Sequence, residues 1–349
     1  MLTLNNWTTT CDDSNGGLVI SSRIRLARNL AEVPFPHKLN EEKSKKVIKL
    51  VENAFYIPSS NKDTFKTNYL WEETDNEKQS YLEKHLISKN LIDNSHKSAF
   101  ILDNQQTISI MINEEDHIRI QCITAGLNLE EVYNVSDKID DLLEENLKYA
   151  FDEKLGYLTA CPTNIGTGLR ASVMLHLPAL SLNNQMNGFL NALSQVGMTV
   201  RGLYGEGSKA IGNIYQISNQ VTLGRSEEEI LSNLKAVVVQ VTNEEKISRE
   251  NLMKKFKYEI EDKIYRALGI LKSAVLLNVN ECFKLLSDVR LGVEMGIIKN
   301  ISKATLNNLL VSTQPATLQN GNEKILSGIE MSLSRAKIVK EKLNIDKVQ

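Results

Sequence analysis

The sequence predicts an α+β protein, in which a mainly antiparallel sheet flanked by helices is followed by an all-helical C-terminal module. Two observations lead to this expectation. Apolar and polar residues alternate with a period of two in short runs between residues 99 and 223, and turn residues separate the runs. Helical patterns occur singly among these runs, whereas from Ser226 onwards they follow one another without a strand. We therefore expect one domain over residues 1–250 and a helical domain over residues 251–349.

The N-terminal third is expected to form a strand, two helices and a meander of three strands. Arg23 and Arg25 lie two residues apart in an extended segment, so both side chains point to one face. Asn40 is expected to cap a helix that ends near residue 56, and residues 57–76 are expected to form a loop. A second helix follows over about 77–88, and the three strands over 99–103, 107–112 and 117–123.

The middle of the chain mixes helices and strands. Ser136 is expected to cap a helix to about residue 151, and a strand is expected over 155–161. The stretch CPTNIGTGLRASVMLHL then places Gly166 and Gly168 before an alternating strand, and glycine lets a backbone come close to another group. Beyond this stretch we expect a helix over 182–196 that stops at Gly197, and strands over 198–204 and 213–223.

The C-terminal third is helical throughout. Ser226 and Glu229 form a capping-box pattern at the start of a helix that extends beyond residue 247. Further helices are expected over 251–268, 281–295, 303–311 and 323–343, with Asn280 and Ser302 as N-caps. Helical modules with surplus apolar stripes commonly pair subunits, so we expect a homodimer.

Composition and charge argue against several classes of function. The chain has 41 basic and 43 acidic residues, so no overall charge draws it to nucleic acid or to an anionic membrane. It lacks both a run of about 18 apolar residues and the pattern of a signal peptide. The four cysteines are far apart and form no CxxC pair. We therefore expect a reduced, cytoplasmic protein with no disulfide and no metal held by the protein.

The placement of arginine is more specific. Only 11 of the 41 basic residues are arginine, so lysine is the usual surface cation of this chain. Five arginines nevertheless occur in apolar or glycine-rich surroundings, namely Arg23, Arg25, Arg119, Arg170 and Arg201. They are either scattered surface residues and structural ion pairs, or a set of planar forks directed at one multiply charged anion.

Common nucleotide motifs do not account for that anion. The patterns that begin at Gly166 and Gly205 match the loose dinucleotide pattern G-x-G-x-x-A, but both lead into strand-like sequence and not into a helix. A P-loop and a protein-kinase H-R-D set are absent from the sequence. A nucleotide would therefore be held by arginines. If the phosphate acceptor were itself a guanidinium, two carboxylates would be needed to orient it and to take its proton, and Glu115 and Glu206 lie in two loops beside the arginines.

Four motifs carry a resemblance to a known family. SSRIRLARN, NEEDHIR, CPTNIGTGLRASV and RGLYGEGS, in this order and spacing, resemble the ATP:guanido phosphotransferase family, and more closely the bacterial protein-arginine kinases. The likeness covers about residues 18–250 strongly and the helical tail more weakly. It implies the guanido kinase fold and transfer of the ATP γ-phosphate to arginine side chains of proteins, which marks those proteins for Clp-type degradation in a stress response.

The resemblance also implies roles for individual residues. Glu115 would be the main carboxylate and base, Glu206 would be its partner on the substrate guanidinium, and Cys161 would be the reactive, oxidation-prone cysteine unless it is a small buried residue. Mg²⁺ would accompany ATP and be held mainly by phosphates. The ATP site would comprise Ser21, Ser22, Arg23, Ile24, Arg25, His85, Arg119, Arg170, Ala171, Ser172, Val173, Met174, Arg201, Gly202, Leu203, Tyr204, Gly205 and Glu206.

Implied partners are protein substrates with exposed arginines, an activating adaptor protein, a heat-shock repressor and Clp protease components. One departure from the family concerns regulation. Many protein-arginine kinases carry an RDxxRA motif that forms a second phosphoarginine pocket, but here Met331 and Ser332 stand at its first two positions and only Arg335 and Ala336 remain. We therefore expect this pocket to be absent or weak.

Two alternatives remain beside the protein kinase. A kinase for a free guanidino metabolite such as arginine would be expected to have a sizeable helical domain before the SSRIR motif, which here starts at Ser21. A non-catalytic adaptor with the same fold would not be expected to keep all the arginines and both glutamates. The target arginines and the need for an activator are left open by the sequence.

Overall fold

A computed structural model of the chain describes residues 3–11, 17–57, 63–183, 186–202, 211–322 and 324–345. The strands, in chain order, are β1 (Val19–Arg28), β2 (Phe65–Tyr69), β3 (Ala99–Asp103), β4 (Ile108–Ile112), β5 (Ile118–Ala125), β6 (Phe151–Asp152), β7 (Gly156–Tyr157), β8 (Leu169–His176), β9 (Met198–Gly202) and β10 (Ile214–Asn219). The helices are α1 (Glu41–Tyr56), α2 (Asp75–Glu83), α3 (Lys89–Asp93), α4 (Leu129–Glu144), α5 (Pro178–Leu182), α6 (Met186–Gln195), α7 (Glu227–Ser273), α8 (Val279–Glu294), α9 (Lys303–Ser312), α10 (Pro315–Asn320) and α11 (Gly328–Ile345).

Within these residues, eight strands form one antiparallel sheet in the order β2-β3-β4-β5-β1-β8-β10-β9. Strand β1 lies in the middle and pairs with β5 on one side and β8 on the other. The predicted α+β class and mainly antiparallel sheet are therefore confirmed. The predicted meander corresponds to β3, β4 and β5, which are joined by short turns.

The two faces of the sheet have different roles because successive side chains of a strand point to opposite sides. On one face, residues such as Ile24 and Val173 are fully buried in a core that also includes Val132 of α4 and Leu234 of α7. Each such side chain contributes about 1.5–3 kcal/mol when it leaves water. The opposite face of the central strands carries the arginines, and beside them Ile123 and Met174 belong to a smaller apolar cluster.

A second apolar core lies among the C-terminal helices. It contains residues of α7 from Ile260 onwards together with residues of α8, α9 and α11, whereas the contribution of α7 to the first core ends at Val241. The helix α7 itself is continuous through residue 250 and departs from helical geometry at Phe256, with φ −135° and ψ 38°. The helix expected over 251–268 therefore corresponds to the second part of α7, which follows the break at Phe256 and ends at Ser273, so its expected bounds are wrong.

Several predicted boundaries in the first half are also wrong. Helix α4 begins at Leu129, and Ser136 lies in its middle with its hydroxyl donating to the Val132 carbonyl. The segment 57–76 contains β2, a short polar strand that is recruited by pairing with β3. Helix α2 ends at Glu83, and Ser88 caps the separate short helix α3. The prediction of Asn40 as the cap of α1 is confirmed, since its side chain accepts from the Lys43 N–H.

In the second half of the chain, too, some predicted boundaries are confirmed and others are wrong. The expected strand 155–161 is reduced to β7, which pairs with β6 and bridges Gly166 through Tyr157. Of the helices α5 and α6, the second corresponds to the expected helix 182–196, and α5 ends where that helix was expected to begin. Gly197 does follow the second of these helices, with a positive φ of 74°. The capping box of Ser226 and Glu229 and the cap at Ser302 are confirmed, but α8 is capped by Asn278 and not by Asn280. Helix α10 was not predicted.

Candidate active site

A cavity of about 850 Å³ opens on the arginine-bearing face of the sheet, and all five singled-out arginines line it. The strand register explains why they meet. Arg25 on β1 lies directly opposite Arg170 on β8, and Ala27 on β1 lies opposite Arg119 on β5. Since opposite residues of antiparallel strands share a face, arginines that are distant in sequence converge on one space.

Two of these arginines make no salt bridge within the described part of the chain. Arg23 donates from Nε to the Ser172 hydroxyl at 3.3 Å and from Nη2 to Oε1 of Gln216 at 2.8 Å. The Nε of Arg25 is buried and has no hydrogen-bond partner in the described part of the chain. Burial, and then the neighbouring arginines, lower the pKa of Arg23 to about 10 and that of Arg25 well below its usual value. The site therefore holds positive charge that an anion would relieve.

The acidic turn between β4 and β5 stands at the same cavity. Glu114 is buried and accepts from Nη1 of Arg119 at 2.6 Å, whereas Glu115 accepts from Nη2 of Arg119 at 3.3 Å and keeps 35% of its side chain exposed. The hydroxyl of Ser88 also donates to Glu114. Burial raises the pKa of Glu115 even though Arg119 opposes it. Glu114 is thus fully engaged by Arg119 and Ser88, whereas Glu115 is the carboxylate that a ligand can reach.

Asp116, the third acid of the turn, stabilises the position of the turn, a role that the sequence did not predict. Its Oδ1 accepts from the Ala160 N–H at 2.7 Å and from Nδ2 of Asn29 at 2.6 Å. These bonds fasten the turn to the segment that carries Cys161. The thiol of Cys161 lines the cavity, is half-exposed, and lies 3.1 Å from the hydroxyl of Thr163. It is therefore not a buried packing residue.

The glycines of the loop before β8 pack against the backbone of this protein. A Cβ on Gly166, where φ is 111°, would lie 2.6 Å from the Thr222 carbonyl oxygen, and a Cβ on Gly168, where φ is 64°, would lie 2.6 Å from the Ala27 carbonyl oxygen. Arg28 holds the loop between them by donating from Nη1 to the Thr167 carbonyl at 2.9 Å. The two glycines therefore allow the loop to pack closely against the backbone of this protein. This packing places Arg170 at the start of β8.

His85 also lines the cavity. It follows α2 in a left-handed conformation with φ 59°, and its ring centroid lies 5.8 Å from that of Trp7. Burial, with the nearby charge of Arg23, lowers the pKa of His85 to about 3. The ring is consequently neutral at physiological pH.

Most of the other residues that the resemblance assigns to ATP do not line the cavity. Strand alternation turns Ser22, Ile24, Ala171 and Val173 to the apolar face, where all four are buried. Met174 packs in a small core cluster with Trp7 and Phe283. Ser21 is buried, Ser172 supports Arg23, and Gly202 lines the cavity. Leu203, Tyr204, Gly205 and Glu206 lie outside the described residues.

The strand β10 supplies residues that sequence reasoning missed. Gln216 lines the cavity, and Ser218 accepts from Nη2 of Arg170 at 3.2 Å. The signal was available, because both residues belong to the polar side of the alternating run over 213–223. Among the described residues, no three histidine, cysteine or acidic side chains are placed to hold a metal ion. No helix of the described chain combines the length and the apolar character needed to cross a bilayer.

Two family models match the chain. The ATP:guanido phosphotransferase C-terminal catalytic domain matches residues 46–248, and the protein-arginine kinase McsB C-terminal domain matches residues 257–349. Curated relatives match over nearly the whole length. A protein-arginine kinase of Clostridium kluyveri is 77% identical over 98% of this chain and 99% of its own. A protein-arginine kinase of Clostridium acetobutylicum is 59% identical over 97% of this chain and all of its own.

Solved structures share the fold. The duplicated taurocyamine kinase from Schistosoma mansoni, with bound components of a transition-state analogue, matches with a TM-score of 0.62 and 24% identity, over 75% of this chain and 39% of that one. Lombricine kinase matches with a TM-score of 0.56 and 26% identity, over 70% and 71% of the two chains. The chain therefore belongs to the ATP:guanido phosphotransferase family and, within it, to the protein-arginine kinases.

Proposed function

We propose that this protein transfers the γ-phosphate of ATP to arginine side chains of other proteins. The single observation that carries the proposal is the cavity in which five guanidinium groups face a half-exposed carboxylate, Glu115. Arginine forks match the oxygens of phosphates, and a carboxylate matches a guanidinium acceptor. The near full-length likeness to protein-arginine kinases supports a protein as the acceptor.

The arginines would bind the triphosphate and leave Glu115 for the acceptor. Of the residues that the resemblance assigns to ATP, we propose direct contact for the side chains that line the cavity, namely Arg23, Arg25, His85, Arg119, Arg170 and Arg201. Those on the apolar face would act only by holding the strands in register. Mg²⁺ would neutralise phosphate charge and be held mainly by the phosphates.

The acceptor guanidinium carries a proton at neutral pH and must lose one before its nitrogen can attack. Glu115 would accept that proton as the N–P bond forms and the bond between the γ-phosphorus and the ADP oxygen breaks, with ADP as the leaving group. Arg119 orients Glu115 for this step. Glu206 remains the proposed second carboxylate on the acceptor.

Two regulatory features are part of the proposal. Cys161 is a candidate redox-sensitive thiol because it is half-exposed at the cavity. The second phosphoarginine pocket is proposed to be absent, since Arg335 is only 3% exposed and donates to the Thr313 and Leu277 carbonyls at 2.7 and 2.8 Å. The one arginine that remains of the RDxxRA motif is thus engaged by the protein itself.

The wider setting is proposed from the family. It comprises a cytoplasmic location, a role in the stress response, an activating adaptor, a heat-shock repressor and Clp protease components as partners. We also propose a boundary near residue 250 between a phosphotransferase domain and a helical domain that pairs subunits. The separate apolar cores on either side of that position support the boundary. Light scattering coupled to size exclusion would measure a dimer mass, and a monomer mass would refute the pairing.

The activity is tested by incubating the full chain with ATP and Mg²⁺, in parallel with an arginine-rich protein and with free arginine. Intact-mass spectrometry is expected to detect acid-labile phosphate on the protein, and the free amino acid is expected to stay unmodified. Phosphorylation of free arginine alone would establish a metabolite kinase instead. Absence of transfer to either acceptor, in a preparation that binds ATP, would favour a non-catalytic adaptor.

The role of Glu115 is tested with Glu115→Gln, which keeps the shape of the side chain and removes its basicity. Turnover is expected to fall by about 10²-fold or more, because proton acceptance is lost. Calorimetry should show ADP binding close to that of the wild type. An unchanged turnover number would exclude Glu115 as the base.

A further inference from the structure

The partners of Arg23 differ from those of three other arginines of this protein. Arg28 pairs with Asp140 at 2.6 Å, Arg119 pairs with Glu114 at 2.6 Å, and Arg249 pairs with Glu245 at 2.7 Å. Arg23 instead donates to the hydroxyl of Ser172 and the amide oxygen of Gln216, both of which are neutral. Buried or half-buried guanidinium groups ordinarily meet a carboxylate, so the neutral partners of Arg23 call for a reason.

The position of Gln216 would accommodate an acid. Gln216 lies on β10, directly opposite Arg201 on β9, and its side chain reaches across β8 to Arg23 on β1. Glutamate has the same shape as glutamine and would offer its oxygen at the same place. A carboxylate there would pair with Arg23 and would also lie beside Arg201. The amide therefore differs from the acid mainly in charge.

If the proposed function is correct and Arg23 binds a phosphate of ATP, the neutral amide has a clear advantage. We propose that Gln216 is a positioning residue for phosphate binding, which orients the Arg23 fork through its amide oxygen while leaving the positive charge of Arg23 available to the nucleotide. An internal carboxylate would orient the fork equally well, but it would compete with the phosphate for that charge. Gln216 is thus a determinant of nucleotide affinity that does not itself need to contact the nucleotide.

The decisive variant is Gln216→Glu. The new carboxylate pairs with Arg23 in the free protein, so the melting temperature is expected to rise or to stay the same. Its charge opposes the phosphates, so the Kd for MgADP and the KM for ATP are expected to rise at least about tenfold, equivalent to about 1.4 kcal/mol. The turnover number should change less than KM, because the acid–base groups are not altered.

A second variant and a control separate positioning from simple charge. Gln216→Met keeps the length of the side chain and removes the acceptor, so nucleotide affinity should fall by less than in Gln216→Glu. Gln220→Glu adds the same charge to the same segment at an exposed position of the cavity rim, and it should raise the Kd by less than about threefold because water screens it.

The measurements are calorimetric titration with MgADP, steady-state KM for ATP, and thermal unfolding of the full chain. Unchanged nucleotide affinity in Gln216→Glu would overturn the inference. A loss of affinity accompanied by a lower melting temperature would also overturn it, because it would indicate damage to the fold. A wild-type protein that binds no nucleotide at all would instead refute the proposed function, and the two failures are therefore distinguishable.

Discussion

The protein contains two clusters of arginines that are built in opposite ways. In the cavity, Arg25 has a buried Nε without a hydrogen-bond partner among the described residues, and Arg23 has only neutral partners. Where the sheet meets the C-terminal helices, Arg249 and Arg290 both donate to Glu294, at 2.8 and 2.7 Å. Arg249 and Arg290 thus share an acid, whereas Arg23 and Arg25 make no salt bridge among the described residues; Arg119 differs from these two, since it pairs with Glu114 within the same cavity.

The second group, which we call the interface network, consists of His176, Glu245, Arg249, Arg290 and Glu294. His176 ends β8 and contacts Glu294 through Nδ1 at 2.9 Å. Glu245 accepts from Arg249 and from the N–H groups of Ala179 and Leu180 at the start of α5. The network therefore joins β8, α5, α7 and α8. Burial alone would raise the pKa of Glu294, but His176, Arg249 and Arg290 outweigh it and lower the pKa below its usual range.

The largest effect is expected from Glu294→Gln, which removes the shared anion of the interface network. The free energy of unfolding should fall by about 3–5 kcal/mol, because two buried guanidinium groups lose their common counter-charge. Chemical denaturation measures this loss. The Kd for MgADP should change by less than about threefold, since the cavity is a separate site. A stability equal to that of the wild type would show that the network does not hold the interface.

The opposite pattern is expected for Arg25→Met in the cavity. Nucleotide affinity should fall by about 10²-fold, because a charged fork that meets phosphate is lost. The melting temperature should rise, since the lowered pKa of Arg25 reports burial and repulsion by Arg23, Arg119 and Arg170 that the folded protein must bear. Calorimetry and thermal unfolding measure the two quantities. If the melting temperature fell, Arg25 would be a structural residue after all and the contrast between the clusters would not hold.

The histidines of the two regions should respond differently to acid. His85 faces Arg23, and its folded pKa of about 3 lies below the unfolded value. Its contribution to stability is therefore complete above pH 6.5 and is lost as the pH falls towards 3, by about 1.4 kcal/mol at pH 5.5. Burial lowers the pKa of His176, but the carboxylate of Glu294 opposes this lowering. His176 should therefore contribute less than His85 to the loss of stability in acid.

His85→Asn tests this difference, because asparagine tolerates the left-handed backbone at this position. The variant should lose less stability than the wild type between pH 7 and pH 5.5, as measured by urea denaturation at each pH. His96→Asn, at an exposed position, serves as the control and should retain the wild-type pH dependence. An identical pH dependence in all three proteins would contradict the assignment.

The smallest effect is expected at the protein surface. Lys46 and Glu42 lie 2.6 Å apart on α1, but their side chains are 70% and 75% exposed. Water screens such a pair, so Glu42→Gln should leave the melting temperature unchanged within error. A measurable loss would mean that proximity alone, and not burial, decides the value of an ion pair in this protein.

Local signals predicted much of the fold. Asn40 and the pair Ser226 and Glu229 cap helices as expected, because a cap depends on residues three or four apart in sequence. Strand β3 has the predicted bounds for a similar reason, since its apolar run is bordered by turn residues. By contrast, the five-residue strand β2 lies in a largely polar stretch and forms through pairing with β3, so the sequence predicted a loop at this position. The start of α4 was missed because Ser136 resembles a cap but packs inside the helix.

For the site, the sequence by itself determined which residue types are present and which of them share a side of a strand. Five arginines could be singled out before the fold was known because they occur in apolar or glycine-rich surroundings, and Glu115 because it lies in a loop beside them. Only the tertiary structure decided the partner of each guanidinium. Arg249 lies in a polar helical sequence and was not distinguished from a surface residue, yet it is buried against Glu245 and Glu294. The charge that remains on an arginine depends on neighbours brought from distant parts of the chain, and sequence spacing does not encode those neighbours.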